Sequence, residues 1–168
     1  MHLDGGSMRD RSSDAQVDIL VVEDTHSDAA LLVHELRRHN LAHRIQVIGN
    51  GEEALDFIFC RGQYQGRSFL RPPKMILLDL QLPQLDGLAV LKAIKGDART
   101  RATPVVVMTS STEPYELTES YQLGVNAVIR KPVSFKDFRQ MIERIATFWI
   151  GVNRLPLSGI AAHEAISE

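Results

Sequence analysis

Five short apolar runs, at 19–22, 45–48, 75–78, 105–108 and 127–129, alternate with five longer amphipathic stretches, and this alternation restricts the fold more than any other feature. The runs are rich in Val and Ile and are bounded by turn or polar residues, which is the pattern of strands. The first, third and fourth lack polar alternation, as strands covered on both faces do, while Gln46 interrupts the second and marks a less buried edge. Between them the period changes from two to three or four. In 28–40, Ala29, Leu32 and Leu36 share one face. The stretch 51–59 follows Asn50 as a cap with Glu53 three residues on, and 86–96 carries Leu88, Leu91 and Ile94. Segment 113–123 has Pro114 in its first turn and stops at Gly124, and a last helix runs from 134 to 150 or beyond. Strict strand–helix alternation of this kind predicts a doubly wound α/β domain with a parallel sheet, right-handed crossovers and helices on both faces.

The 168 residues suffice for one core, expected over 17–150. Residues 1–16 are Gly, Ser and charge without periodicity and read as a disordered extension; 151–168 read as a tail. Cys60, the single cysteine, has no intramolecular disulfide partner and suits a reducing cytoplasm. A net charge of −2, with 19 basic and 21 acidic residues interleaved, gives no electrostatic case for nucleic acid or an anionic membrane, so partners are expected to be proteins. No apolar run approaches the roughly 20 residues that span a bilayer, and a cytoplasmic location is expected. The stretch 60–74 is a long basic connection, with Arg61, Arg67, Arg71 and Lys74, and reads as a solvated loop.

The chemistry lies at the strand ends. Glu23 and Asp24 follow the first run, Asp79 the third, Thr109 the fourth and Lys131 the fifth. In an open α/β sheet the ligand site lies beyond the carboxyl ends of the strands, where the strand order reverses. With an order of 2-1-3-4-5 that point falls between strands one and three, roughly 5 Å apart, and Glu23, Asp24 and Asp79 converge. Crowded carboxylates repel, and a divalent cation resolves the repulsion. All-oxygen ligation matches Mg2+, with Asp24, Asp79 and the main-chain carbonyl of Gln81 as ligands and Glu23 binding directly or through water. A free oxygen of Asp79 is then the nucleophile toward a phosphoryl group, Lys131 neutralises charge on the phosphoryl oxygens, and Thr109 offers them a hydroxyl.

Several segments resemble the receiver domains of bacterial two-component systems: Ile19-Leu20-Val21-Val22-Glu23-Asp24, Leu77-Leu78-Asp79-Leu80-Gln81-Leu82-Pro83 with Asp86-Gly87, Val105-Val106-Val107-Met108-Thr109-Ser110, and Lys131-Pro132. The resemblance covers 17–150. It implies the flavodoxin-like (βα)5 fold with sheet order 2-1-3-4-5, phosphoryl transfer from a histidine kinase to Asp79, Mg2+ in the acidic pocket, and switching through Thr109 and Lys131. More narrowly, Gly51-Glu52-Glu53-Ala54-Leu55-Asp56-Phe57, Cys60-Arg61-Gly62-Gln63-Tyr64, and Phe148-Trp149 through Leu155-Pro156 resemble stand-alone, phytochrome-associated response regulators. That resemblance implies a bacteriophytochrome kinase as donor and a homodimer built with the last helix and the tail.

Some features depart from the family pattern or add to it. Val128 stands where many receivers carry the Tyr or Phe whose ring rotates on activation, so phosphorylation is expected to be reported through loop and fourth-helix shifts at a dimer interface. The last helix carries a stripe of Phe135, Phe138, Ile142, Ile145 and Trp149 for the core, widened by Met141, Phe148 and Val152. His39 and His43 have the spacing of a ligand pair, but no third ligand is evident, and His26 reads as a solvated loop residue. A haloacid-dehalogenase-type hydrolase wants a second Asp two residues after the nucleophile, where this chain has Gln81, so a phosphoacceptor is expected rather than a metabolic enzyme. The 18 residues after Ile150 are short for a helix-turn-helix domain, so an output through protein contact rather than DNA binding is expected.

Overall fold

The structure is a computed structural model in which residues 16–39 and 44–156 are described. The expected extension, apart from residue 16, lies outside them, as do His43 and 157–168 of the tail. In chain order the elements are β1 Ile19–Val22, α1 His26–Arg38, β2 Ile45–Ile48, α2 Gly51–Ile58, β3 Met75–Leu78, α3 Gly87–Gly96, β4 Val105–Thr109, α4 Pro114–Gln122, β5 Ala127–Arg130 and α5 Phe135–Ala146. A π-helical turn, Thr147–Val152, prolongs α5.

The strands form one parallel sheet in the order β2-β1-β3-β4-β5, as the resemblance implied. Side chains alternate across it. Leu20, Val22, Ile76, Leu78, Val105 and Val107 point to one face, where Ala54 and Phe57 of α2 and Val90, Leu91 and Ile94 of α3 cover them. Ile19, Val21, Met75, Leu77, Val106 and Met108 point to the other, beneath Leu32 and Leu36 of α1 and Phe138, Ile142 and Ile145 of α5. The central strands β1, β3 and β4 are buried throughout, which is why they read as unbroken apolar runs. The edge strand β2 is buried only at Ile48, in accord with the break at Gln46.

Local chemistry sets the helix ends. The Asn50 side chain accepts from the Glu53 N–H at 2.8 Å, Asp86 from Ala89 at 2.8 Å and Ser134 from Asp137 at 3.4 Å, each satisfying a first-turn donor with no partner inside the helix. Gly124, at φ +92°, turns the chain out of α4, and the Val125 N–H returns to the Ser120 carbonyl.

Three sequence expectations are corrected. The first helix begins at His26 rather than Asp28, because its first turn is polar and invisible to apolar periodicity; His26 is therefore an exposed helix residue. Phe135 is not part of the core stripe: as the first residue of α5 it is 55 % exposed, with the Arg139 guanidinium over its ring. The 60–74 connection is not simply solvated. Arg67 lies half-buried over the Phe57 ring and donates to the Phe57 carbonyl, while Arg61 pairs with Asp56 and Lys74 with Asp18.

Candidate functional site

The sheet ladder continues past the strands and fixes the backbone of each candidate residue. The Glu23 N–H donates to the Ile48 carbonyl at 3.0 Å, Asp79 to Val22 at 3.0 Å and Lys131 to Thr109 at 2.8 Å. Glu23 and Asp79 thus leave β1 and β3 at one level, while Lys131 leaves β5 two residues further along and reaches back to them with its long side chain. Glu23, Asp24 and Asp79 present carboxylate oxygens that all lie within 4.8 Å of one another. Glu23 and Asp79 are buried and Asp24 is exposed, so the cluster opens to solvent on the Asp24 side.

Lys131 crosses from β5 and sets its ammonium among acids. Its Nζ donates to Glu23 Oε2 at 2.7 Å, Asp79 Oδ2 at 3.1 Å and Asp28 Oδ2 at 3.3 Å. Burial alone would lower the Lys131 pKa, but the hydrogen bond to Glu23 and the Asp79 charge outweigh it and hold the ammonium well above the usual lysine range. Burial pushes the Glu23 carboxyl up, an effect that the Lys131 hydrogen bond only partly offsets. The Thr25 N–H donates to Glu23 Oε1 at 3.1 Å and the Gln81 N–H to Asp79 Oδ1 at 3.0 Å, which fixes the rotation of both carboxylates.

Thr109 is buried at the end of β4, and its Oγ1 accepts from the Ser111 N–H at 3.0 Å. The hydroxyl hydrogen remains available to donate elsewhere. Gln81 joins the cluster through its N–H, which donates to Asp79 Oδ1.

The donor set fits a divalent cation. Lys131 pairs with Glu23, Asp28 and Asp79, and Asp24 adds a further carboxylate beside Glu23 and Asp79; this excess of negative charge over one ammonium in a half-buried site favours further positive charge. The donors are all oxygen, the chemistry of Mg2+ or Mn2+ rather than of a soft metal. Asp28 escaped the sequence reading, which looked only at strand ends. Its signal was an acid in the first turn of α1, four residues after Asp24.

Acids gathered with a lysine at the switch point of a doubly wound parallel sheet are what a receiver domain presents, and this chain belongs to the response regulator receiver domain family, with residues 19–143 matching. Among its relatives, the probable methanogenesis regulatory protein FilR2 of Methanothrix harundinacea is 41 % identical over 82 % of this chain and 86 % of that protein. Response regulator Rcp1 of Synechocystis sp. is 35 % identical over 89 % of this chain and 99 % of that one, and the crystal structure of its Mn(2+)-bound form aligns with a TM-score of 0.76, covering 82 % of this chain and 97 % of that one. The phosphorylated cyanobacterial phytochrome response regulator RcpA aligns with a TM-score of 0.78 at 34 % identity, covering 84 % of this chain and 99 % of that one.

Proposed function

We propose that this chain is a phosphorylation-switched response regulator in which a histidine kinase, a bacteriophytochrome, transfers a phosphoryl group to Asp79. The observation that carries the reading is the seat of Asp79: buried at the switch point, with the carboxylates of Glu23 and Asp24 within 4.8 Å and Lys131 Nζ at 3.1 Å. An Asp79 oxygen forms the new P–O bond as the bond from phosphorus to the kinase histidine breaks, and the freed imidazole departs with the electron pair. Lys131 supplies positive charge to the phosphoryl oxygens. Thr109 donates its hydroxyl hydrogen to one of them while still accepting from the Ser111 N–H. Glu23, Asp24, Asp79 and the main-chain carbonyl of Gln81 would hold Mg2+, which when bound offsets the clustered negative charge and orients a phosphoryl oxygen. The Mn(2+)-bound form of Rcp1 supports such a site in a close relative.

The product is a labile acyl phosphate, so the chain promotes gain and loss of its own phosphoryl group rather than turning over a metabolite. The working unit is the receiver domain 17–150, acting in the cytoplasm. Its output is protein contact, with a homodimer formed through α5 and the segment after it. Val128 packs half-buried against the core where an aromatic switch would otherwise sit, so the response is read through the β4–α4 loop and that dimer. The likeness to RcpA, a phytochrome response regulator, supports the choice of kinase class.

Incubation with acetyl phosphate and Mg2+ tests the central step. Native protein is expected to gain one phosphoryl mass, released by base, while Asp79→Asn gains none. Equal labelling of the two proteins would rule out Asp79 as the acceptor.

A further inference from the structure

Asp28 lies at the phosphoacceptor pocket, but neither the strand-end pattern nor the proposed metal ligands assign it a task. The three hydrogens of the Lys131 ammonium are spent on three carboxylates: Glu23 at 2.7 Å, Asp79 at 3.1 Å and Asp28 at 3.3 Å. The first two belong to the reaction site and are almost fully buried. Asp28 comes from a different element, the first turn of α1, and its side chain is 45 % exposed.

Both oxygens of the nucleophile are engaged at rest. Asp79 Oδ1 accepts from the Gln81 N–H and Oδ2 from Lys131. A second lone pair remains on each oxygen, but the ammonium draws electron density from Oδ2 and is also needed at the oxygens of the incoming group, so Lys131 shifts from Oδ2 as transfer proceeds. As it does so it keeps two anchors, Glu23 from the end of β1 and Asp28 from α1. Without Asp28 it would keep one, and at rest it would lean harder on Asp79. Both consequences slow the transfer.

We propose that Asp28 is a positioning residue for phosphoryl transfer: it holds Lys131 Nζ from the α1 side, so that the ammonium can leave Asp79 Oδ2 without leaving the pocket. The inference rests on the reading of Asp79 as phosphoacceptor. Asp28 takes no part in bond making; the P–O bond forms at Asp79, and the donor's leaving group carries off the electron pair. An acid in a first helical turn also favours the helix through its dipole, whatever it touches. The test must separate that role from this one.

Native protein, Asp28→Asn and Asp28→Glu are compared by the rate of labelling with acetyl phosphate and Mg2+, with thermal unfolding confirming that each folds. Loss of one charge-assisted anchor should slow Asp28→Asn by roughly three- to tenfold. The maximal rate should fall more than the half-saturating acetyl phosphate concentration changes, and Asp28→Glu should recover most of the loss. In a Lys131→Met background, adding Asp28→Asn should have no further effect, whereas a helix-dipole role would persist there. In metal-free protein, the ammonium hydrogens of Lys131 should exchange with water faster in Asp28→Asn, as read by nitrogen-15 NMR. Native labelling rates in Asp28→Asn, or an equal loss without Lys131, would overturn the inference and leave Asp79 as acceptor untouched. Native protein that takes up no phosphoryl group would instead overturn the underlying reading, and this inference with it.

Discussion

Gly87 shows how tightly one residue can be bound to the chemistry of another. It opens α3 directly against Asp79, the proposed phosphoacceptor: a Cβ there would stand 2.3 Å from the Asp79 carbonyl oxygen and 2.5 Å from Leu80 Cα. Both neighbours are backbone, and the Gly87 N–H already donates to the Leu80 carbonyl at 2.8 Å, so neither can give way cheaply. Gln84, at φ +66°, is a further constraint in the same loop. Gly87→Ala is therefore expected to destabilise the fold by about 1–3 kcal/mol in urea unfolding and to slow labelling of Asp79, since the loop that carries Asp79 must shift. An alanine variant with a native midpoint and native rate would show that the start of α3 yields freely. Asp86-Gly87 was legible in the sequence as part of a motif. That the glycine serves close approach rather than a turn became visible only when α3 was placed against β3.

At the scale of elements, Lys95 is the tie between helix and sheet on the side remote from Asp79. From the last turn of α3 its Nζ donates to the Arg101 carbonyl at 3.0 Å, the Thr103 carbonyl at 2.8 Å and Asn126 Oδ1 at 2.8 Å. Asn126 Oδ1 also accepts from the Val105 N–H at 2.8 Å, so one ammonium and one amide join the entries to β4 and β5. No carboxylate is among these partners, and burial pulls the ammonium down to about 8 from the 10.5 of an exposed lysine. The unfolded chain then binds this proton more tightly than the folded one. Stability from this group is thus fully present above about 10.5 and is lost as pH falls through about 8. The thermal midpoint of native protein relative to Lys95→Met should accordingly rise between pH 8 and 10.5. Lys131 contributes in the opposite sense only above the ordinary lysine range, and it is common to both proteins, so it cancels. Parallel pH profiles would refute the argument. Lys95 reads in the sequence as an ordinary polar residue of an amphipathic helix, because nothing in the residue pattern tells that two carbonyls of the following connection and the distant Asn126 will surround it.

For the molecule as a whole, the open question is what covers the far end of α5. The π-helical turn Thr147–Val152 shifts the helical phase, so Trp149 and Ile150 pack on the core while Phe148 and Val152 are left 49 % and 60 % exposed. They border a groove with Gln140, Glu143, Arg144 and Thr147, and Phe148 stands edge-on to Trp149 with ring centroids 4.9 Å apart. Exposed aromatic and aliphatic groups lining a groove are what the centre of a dimer interface uses. The proposed homodimer should therefore fall apart in Phe148→Ser with Val152→Ser, which removes exposed contacts and spares the core; an unchanged mass by light scattering would exclude this face. Sequence alone determined the elements and the doubly wound α/β class, because β-branched runs, helical periods and caps are local signals, while the strand order came from the resemblance carried by its motifs. It likewise supplied Glu23, Asp24, Asp79, Thr109 and Lys131, each marked by its place at the end of an apolar run. Tertiary structure decided the rest: the entry of Asp28 from α1, the seat of Gly87 against Asp79, the half-buried Arg67, and the exposure of Phe135. Those depend on how elements pack, whether ten residues apart as for Arg67 and Phe57 or about a hundred as for Asp28 and Lys131, and no pattern of residue types encodes such a meeting.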